Sequence, residues 1–95
     1  MKGNTLHQFL DDILTMGGPE KEYLYLGKEY ILQTDYNWDL KRDELSVYEC
    51  FGDEKLVYIC HGNSLQELYE QFVSAPIFDG RTIYEAHNDI EVLFG

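Results

Sequence analysis

The stretch YLYLGKEYILQTDYNWDLKRDELSVYECFGDEKLVYICH (Tyr23–His61) decides the fold, because it holds every segment of the chain with clear strand character. It contains the only tryptophan, both cysteines and six of the eight tyrosines of this 95-residue chain. Aromatic and β-branched residues favour the pleated surface of a sheet. The pattern therefore predicts two consecutive β-hairpins.

The first hairpin is predicted around Gly27-Lys28, since glycine at the first central position suits a two-residue turn. Tyr25 would then oppose Tyr30, and Tyr23 would oppose Leu32. Because side chains alternate along a strand, two faces follow. One face is predicted to carry Tyr23, Tyr25, Tyr30, Leu32, Thr34, Tyr36 and Trp38, and the other Leu24, Leu26, Ile31, Gln33 and Asp35.

The second hairpin is predicted to pair residues 44–51 with 55–61 around Gly52-Asp53-Glu54, with Gly52 opposite Lys55. The two cysteines then point to opposite faces. One face is predicted to carry Leu45, Val47, Glu49, Phe51, Leu56, Tyr58 and Cys60, and the other Ser46, Tyr48, Cys50, Val57, Ile59 and His61.

Helices flank the hairpins. Apolar residues at helical spacing follow a capping-box pair, Thr5 with Gln8, which predicts a helix over 5–16 that stops at Gly17-Gly18-Pro19. The same signals predict a second helix that begins at Ser64 and ends before Pro76. For residues 81–94, where Thr82 and Glu85 form another capping-box pair, we expect a third helix, with an edge strand at 81–85 or 91–94 as the alternative. The chain is thus expected to be one α+β domain (1–95), of order α-β-β-β-β-α-α, with an antiparallel sheet of about four strands and helices mainly on one face.

Charge is the unusual feature of the composition. Seven Lys and Arg against eighteen Asp and Glu give a net charge of −11, and the acids are spread from Asp11 to Glu91. Such a surface repels phosphate backbones and anionic membranes and attracts basic proteins. The sequence has neither the pattern of a signal peptide nor the ~20 apolar residues of a membrane span, so we expect a cytoplasmic protein.

Candidate metal and catalytic motifs are weak. Cys50, Cys60, His61 and His87 are candidates for zinc or thiol chemistry, but they lack the close cysteine pairs of zinc sites, and buried free cysteines are usually small apolar residues. The run Asp35-Tyr36-Asn37-Trp38-Asp39 resembles the start of a calcium loop, but Leu40 stands where glycine is required and Ser46 where the bidentate glutamate belongs. No phosphate-binding loop, dinucleotide motif, nucleophile elbow or metalloprotease motif is present. We therefore expect no metal, no cofactor and no enzymatic activity.

The strongest candidate site combines aromatic and acidic residues, because aromatic anchors ringed by carboxylates suit a basic groove. Its predicted members are Glu22, Tyr23, Tyr25, Glu29, Tyr30, Asp35, Tyr36, Trp38 and Asp39. In size and charge the chain is similar to nuclease-inhibiting immunity proteins, phage-encoded inhibitors and DNA mimics, a similarity that covers no alignable residues.

Three functional hypotheses follow. The first is a small acidic, non-enzymatic protein-interaction module, an inhibitor or nucleic-acid mimic that docks on a basic protein surface. The second is a small-ligand or metal-binding regulatory domain that uses the 35–43 connection or a pocket between sheet and helices. The third is a homodimer formed through the sheets or the aromatic faces.

Overall fold

The computed structural model of the protein describes residues 1–15, 20–50 and 55–94. Within them the chain forms a mixed α+β domain in which helices precede and follow a β-meander. The elements are α1 (Leu6–Thr15), β1 (Lys21–Tyr25), β2 (Lys28–Asn37), β3 (Arg42–Glu49), β4 (Lys55–Gly62), α2 (Leu65–Ser74), α3 (Ile83–Ala86), a 3₁₀ turn (His87–Asp89) and β5 (Ile90–Phe94).

The sheet of the described residues has five antiparallel strands in the order β4-β3-β2-β1-β5. The two predicted hairpins are joined directly, because β2 and β3 pair from Tyr30 opposite Glu49 to Asn37 opposite Arg42. The prediction of about four strands missed β5, which pairs with β1.

The turn between β1 and β2 lies one residue earlier than predicted. Tyr25 pairs with Lys28, so Leu26 and Gly27 are the two turn residues, with φ angles of 50° and 80°. Positive φ at both positions is typical of a type I′ turn, whose twist matches that of the strands. The predicted pairing of Tyr25 with Tyr30 was wrong, since Tyr23 opposes Tyr30. A shift of two residues leaves the strand residues of this hairpin on their predicted faces, whereas Leu26 and Trp38, predicted on those faces, lie in turns.

The pairing of β3 with β4 contains a β-bulge. Leu45 opposes Cys60 and Val47 opposes Tyr58, but Tyr48 opposes Leu56, which leaves Val57 as the additional residue. The bulge moves Leu56 to the face opposite the one predicted. Residues 51–54, which contain the predicted turn and the predicted pairing of Gly52, lie outside the described residues.

Capping boxes begin α1 and α3, as the sequence predicts. The Thr5 amide donates to Gln8 Oε1 and the Gln8 amide donates to Thr5 Oγ1, both at 3.1 Å. At α3 the Thr82 amide donates to Glu85 Oε1. Ser64 Oγ caps α2 by accepting from the Glu67 amide. The predicted stop of α1 at Gly17-Gly18-Pro19 lies outside the described residues.

The C-terminal segment, residues 81–94, contains both a helix and an edge strand, which the sequence offered as alternatives. Its first part forms α3 and the 3₁₀ turn, and its second part forms β5, in which the buried residues Ile90 and Val92 alternate with the exposed Glu91. A helix over the whole of 81–94 was therefore wrong. Period-two alternation outweighs the helical spacing of the same residues because β1 offers a free sheet edge.

The helices cover one face of the sheet, here named the inner face. Buried residues from α1, α2 and α3, such as Phe9, Phe72 and Ile83, form one cluster with the inner strand residues. The cluster gives the sheet a single core layer. The buried apolar residues of the inner face of the strands are Tyr23, Tyr25, Leu32, Leu45, Val47, Cys60, Ile90 and Val92.

Candidate interaction surface

Three predicted site residues belong to the inner face. Tyr23 and Tyr25 are 1% and 3% exposed, and Tyr30 is half-buried with its ring stacked on that of Tyr23 at 5.4 Å. Burial raises the pKa of Tyr23 far above its ordinary value, because the phenolate would lose its hydration. Tyr23 and Tyr25 are core residues and offer no contact area to a partner.

Glu22, Glu29 and Asp35 lie on the opposite face, here named the outer face. Their positions follow from the register, since Glu22 opposes Ile31, Leu24 opposes Glu29 and Asp35 opposes Glu44. The structure therefore separates these acids from the tyrosines with which they were grouped. The sheet lies between the two groups.

Apolar residues fill the centre of the outer face. Leu24, Ile31 and Tyr48 are half-buried, and Leu56 and Ile59 at the β4 edge are 46% and 51% exposed. None of the five belongs to the core cluster, and no helix of the described residues packs on this face. The outer face thus carries an apolar band, defined by Leu24, Ile31, Tyr48, Leu56 and Ile59, that spans β1 to β4.

Acids border the apolar band at both ends. Glu91, Glu29 and Glu22 flank Leu24 and Ile31, while Asp35 and Glu44 form the next row beyond Ile59. Arg42 lies on the same face and pairs with Glu44 at 3.0 Å. Lys2 lies beside Glu91 at the other end, so five acids against two basic residues leave the border negative.

The turn between β2 and β3 displays the remaining predicted residues. Trp38 is 81% exposed, and its ring meets that of Tyr36 edge to face at 4.7 Å. Asn37 Oδ1 accepts hydrogen bonds from the amides of Asp39 and Leu40. These bonds fix the backbone that presents Trp38.

The same contacts account for the calcium-like run. The side-chain oxygen of Asn37, which such a loop would use as a ligand, accepts two amide hydrogen bonds of the turn. Among residues 1–15, 20–50 and 55–94, no three His, Cys, Asp or Glu side chains converge as a metal-ligand set.

Cys60 was one candidate for thiol chemistry. Its side chain is 6% exposed on the inner face, and burial raises the pKa of its thiol. Reactive cysteines need the opposite, a lowered pKa and access to solvent. Cys60 therefore behaves as a small apolar core residue.

The outer face was not singled out from the sequence, although a signal was present. Along β1 and β2, the residues that share the phase of Leu24 and Ile31 include Glu22, Glu29, Gln33 and Asp35. Acids that alternate in phase with apolar residues indicate the solvent side of an antiparallel sheet. The position of Leu56 had no such signal, because it depends on the bulge.

None of the described helices is both long and apolar enough to cross a lipid bilayer. The chain matches no family model, no curated protein and no solved structure.

Proposed function

We propose that this protein is a non-catalytic interaction module that docks its outer face on a basic surface of another protein. The observation that carries the proposal is the apolar band of the outer face with its border of acids. A contiguous apolar area bordered by polar residues is typical of protein-binding sites.

The two parts of the surface have different roles. The apolar band supplies the desolvated centre of the contact, in which Leu56 and Ile59 offer the most accessible area. Glu22, Glu29 and Asp35 supply the border, where charge speeds association and selects partners of opposite charge. The net charge of −11 extends the attraction beyond the contact itself.

Trp38 adds an anchor beside this surface. The turn that carries it closes the β2–β3 hairpin, and its ring packs on Tyr36, which opposes Asp43 and has the phase of the inner face, so the indole lies at the end of the sheet. Tryptophan is enriched among the residues that dominate binding energy, particularly where the backbone is already ordered. The pair of Trp38 and Tyr36 fits a shallow apolar pocket with lysine or arginine around it.

The partner class that fits best is a protein with a basic groove, such as one that binds nucleic acid. An acidic face of this kind competes with a phosphate backbone for the same lysine and arginine side chains. The protein would then act as an inhibitor or a nucleic-acid mimic, and it would not bind nucleic acid itself.

The test measures binding to a basic partner isolated by affinity capture from the native cell. We expect Kd to rise steeply with salt, because exposed charges are screened over ~8 Å at physiological ionic strength. The variant Glu29→Lys should weaken binding through the outer face. The matched control Glu70→Lys makes the same charge change on the exposed side of α2 and should have a smaller effect.

A second pair of variants tests the apolar band. Ile59→Ser and Leu56→Ser should weaken binding at every salt concentration, because they remove desolvated contact area. Binding that is insensitive to salt, or equal in Glu29→Lys and Glu70→Lys, would contradict the proposal.

A further inference from the structure

A groove crosses the helical layer, on the side of the protein away from the outer face. One wall is the face of α1 that carries Leu6, Leu10 and Leu14, and the facing wall carries Tyr69 of α2 and Tyr84 of α3. Its volume is about 290 Å³. That volume lies at the lower end for small-molecule sites and suits a ligand of fragment size.

Polar groups are few and lie at the mouth of the groove. The hydroxyls of Tyr69 and Tyr84 are 3.3 Å apart and share a hydrogen bond. The hydrogen bond to Tyr69, and to a smaller extent burial, raise the pKa of Tyr84. A tyrosine hydroxyl both donates and accepts, so this one can take part in a further hydrogen bond. His7 and Asp11 lie one turn apart on α1 and complete the lining.

Asp11 sets the charge of the groove. Its carboxylate makes no hydrogen bond and no ion pair with any other residue in the described part of the chain. Asp12, its neighbour, instead binds Lys21. With a net charge of −11 around it, a carboxylate at the edge of an apolar groove favours cations and disfavours anions.

We propose that this groove binds a small organic ammonium ion with an apolar body. The body would lie on Leu6, Leu10 and Leu14, and the ammonium group would contact the Asp11 carboxylate and the faces or hydroxyls of Tyr69 and Tyr84. Aromatic faces attract ammonium groups, and a carboxylate accepts their hydrogen bonds. The groove shares no residue with the outer face, so its ligand binding can be tested separately from the proposed protein interaction.

The test is an NMR titration of the ¹⁵N-labelled protein with three probes of similar size. Phenethylamine is a cation at pH 7, 2-phenylethanol is neutral and phenylacetate is an anion. We expect saturable shifts around Leu10, Asp11 and Tyr84 with phenethylamine, weaker binding of the alcohol and none of phenylacetate. Equal binding of the amine and the alcohol would overturn the proposal, as would the absence of saturable shifts.

Variants separate the groove from the acidic surface in general. Asp11→Asn should weaken phenethylamine binding by about three- to tenfold, the range between an exposed ion pair and a charge-assisted hydrogen bond. Tyr84→Phe removes one hydroxyl from an exposed side chain and should weaken binding to a smaller extent. Glu70→Gln, a charge-matched control outside the groove, should leave binding unchanged. Equal losses in Asp11→Asn and Glu70→Gln, or shifts spread over the outer face, would overturn the proposal.

Discussion

The ammonium group of Lys21 lies 2.5 Å from the carboxylate of Asp12, and the lysine side chain is only 2% exposed. The pair joins the start of β1 to the middle of α1. Lys21 Nζ also lies 5.2 Å from the centre of the Phe9 ring, inside the core cluster. A charge held so deeply depends strongly on its counterion.

Asp12→Ala is expected to destabilise the protein by about 2–3 kcal/mol, because it removes a carboxylate that pairs with a buried ammonium group. The value is below the range for fully buried pairs, since Asp12 itself is 27% exposed. In a Lys21→Met background the same change should cost less than about 1 kcal/mol, because no buried ammonium is left. Urea unfolding of the four proteins of this cycle measures the coupling. Equal costs of Asp12→Ala in both backgrounds would show that the pair is not coupled.

Tyr25 is expected to support the fold and not the interaction. Its hydroxyl donates to the carbonyl of Phe78 at 3.2 Å and accepts from Arg81 Nη2 at 2.7 Å. Tyr25→Phe should therefore lower the free energy of unfolding by about 1–2 kcal/mol, because two hydrogen bonds of the hydroxyl are lost, although the Phe78 carbonyl keeps the Arg81 amide as a donor. Partner affinity should not change.

Asp89→Asn is the control for Tyr25→Phe, because it alters another contact of Arg81, at an exposed carboxylate. It should change stability by less than about 0.5 kcal/mol. Urea unfolding and a binding titration of each variant check both expectations. If Tyr25→Phe lowered partner affinity without lowering stability, Tyr25 would have to contribute to binding, which would contradict this prediction.

Much of the fold was predictable because local signals and tertiary packing agree. The capping boxes at Thr5 and Thr82 and the strand faces of the meander follow directly from the sequence. The turn at Leu26-Gly27 was misplaced because it requires leucine at a positive φ angle, which sequence statistics disfavour. The predicted strand faces were still right, because the register was shifted by two residues and side chains alternate with a period of two.

Two further errors arose from non-local pairing. Segment 90–94 is a strand because it pairs with the edge of β1, and the sequence of the segment does not show that this edge is available. The bulge at Val57 likewise depends on how β3 and β4 meet. For the candidate site, the sequence grouped the exposed Trp38 with Tyr23 and Tyr25, which are buried, because periodicity alone does not say which face the helices cover.

Alkaline pH is expected to destabilise the protein. Burial raises the pKa of Tyr23, Tyr58 and Cys60, so the unfolded chain loses these protons at lower pH than the folded protein does. The folded state then holds more protons, and stability falls as pH rises. These three groups should not lower the free energy of unfolding below about pH 8.5, where the thiol and the tyrosines are protonated in the unfolded chain as well. Above that pH the free energy of unfolding should fall progressively.

Tyr23→Phe provides the control for this pH dependence, because it removes one titrating group and keeps the buried ring. Urea unfolding between pH 7 and pH 11 should show a shallower decline of stability in this variant than in the unaltered protein. Identical slopes would mean that Tyr23 does not contribute to the linkage.

Trp38 is expected to matter for binding and not for folding. The side chain is 81% exposed and its main contact is the ring of Tyr36, so Trp38→Ala should change the free energy of unfolding by less than about 0.5 kcal/mol. If Trp38 anchors the partner, the same change should weaken binding by at least about tenfold, because hot-spot residues cost about 2 kcal/mol or more when truncated. Since this is the only tryptophan, its fluorescence reports the contact directly. Acrylamide should quench the fluorescence readily in the isolated protein and poorly in the complex, whereas equal quenching in both would place Trp38 outside the interface.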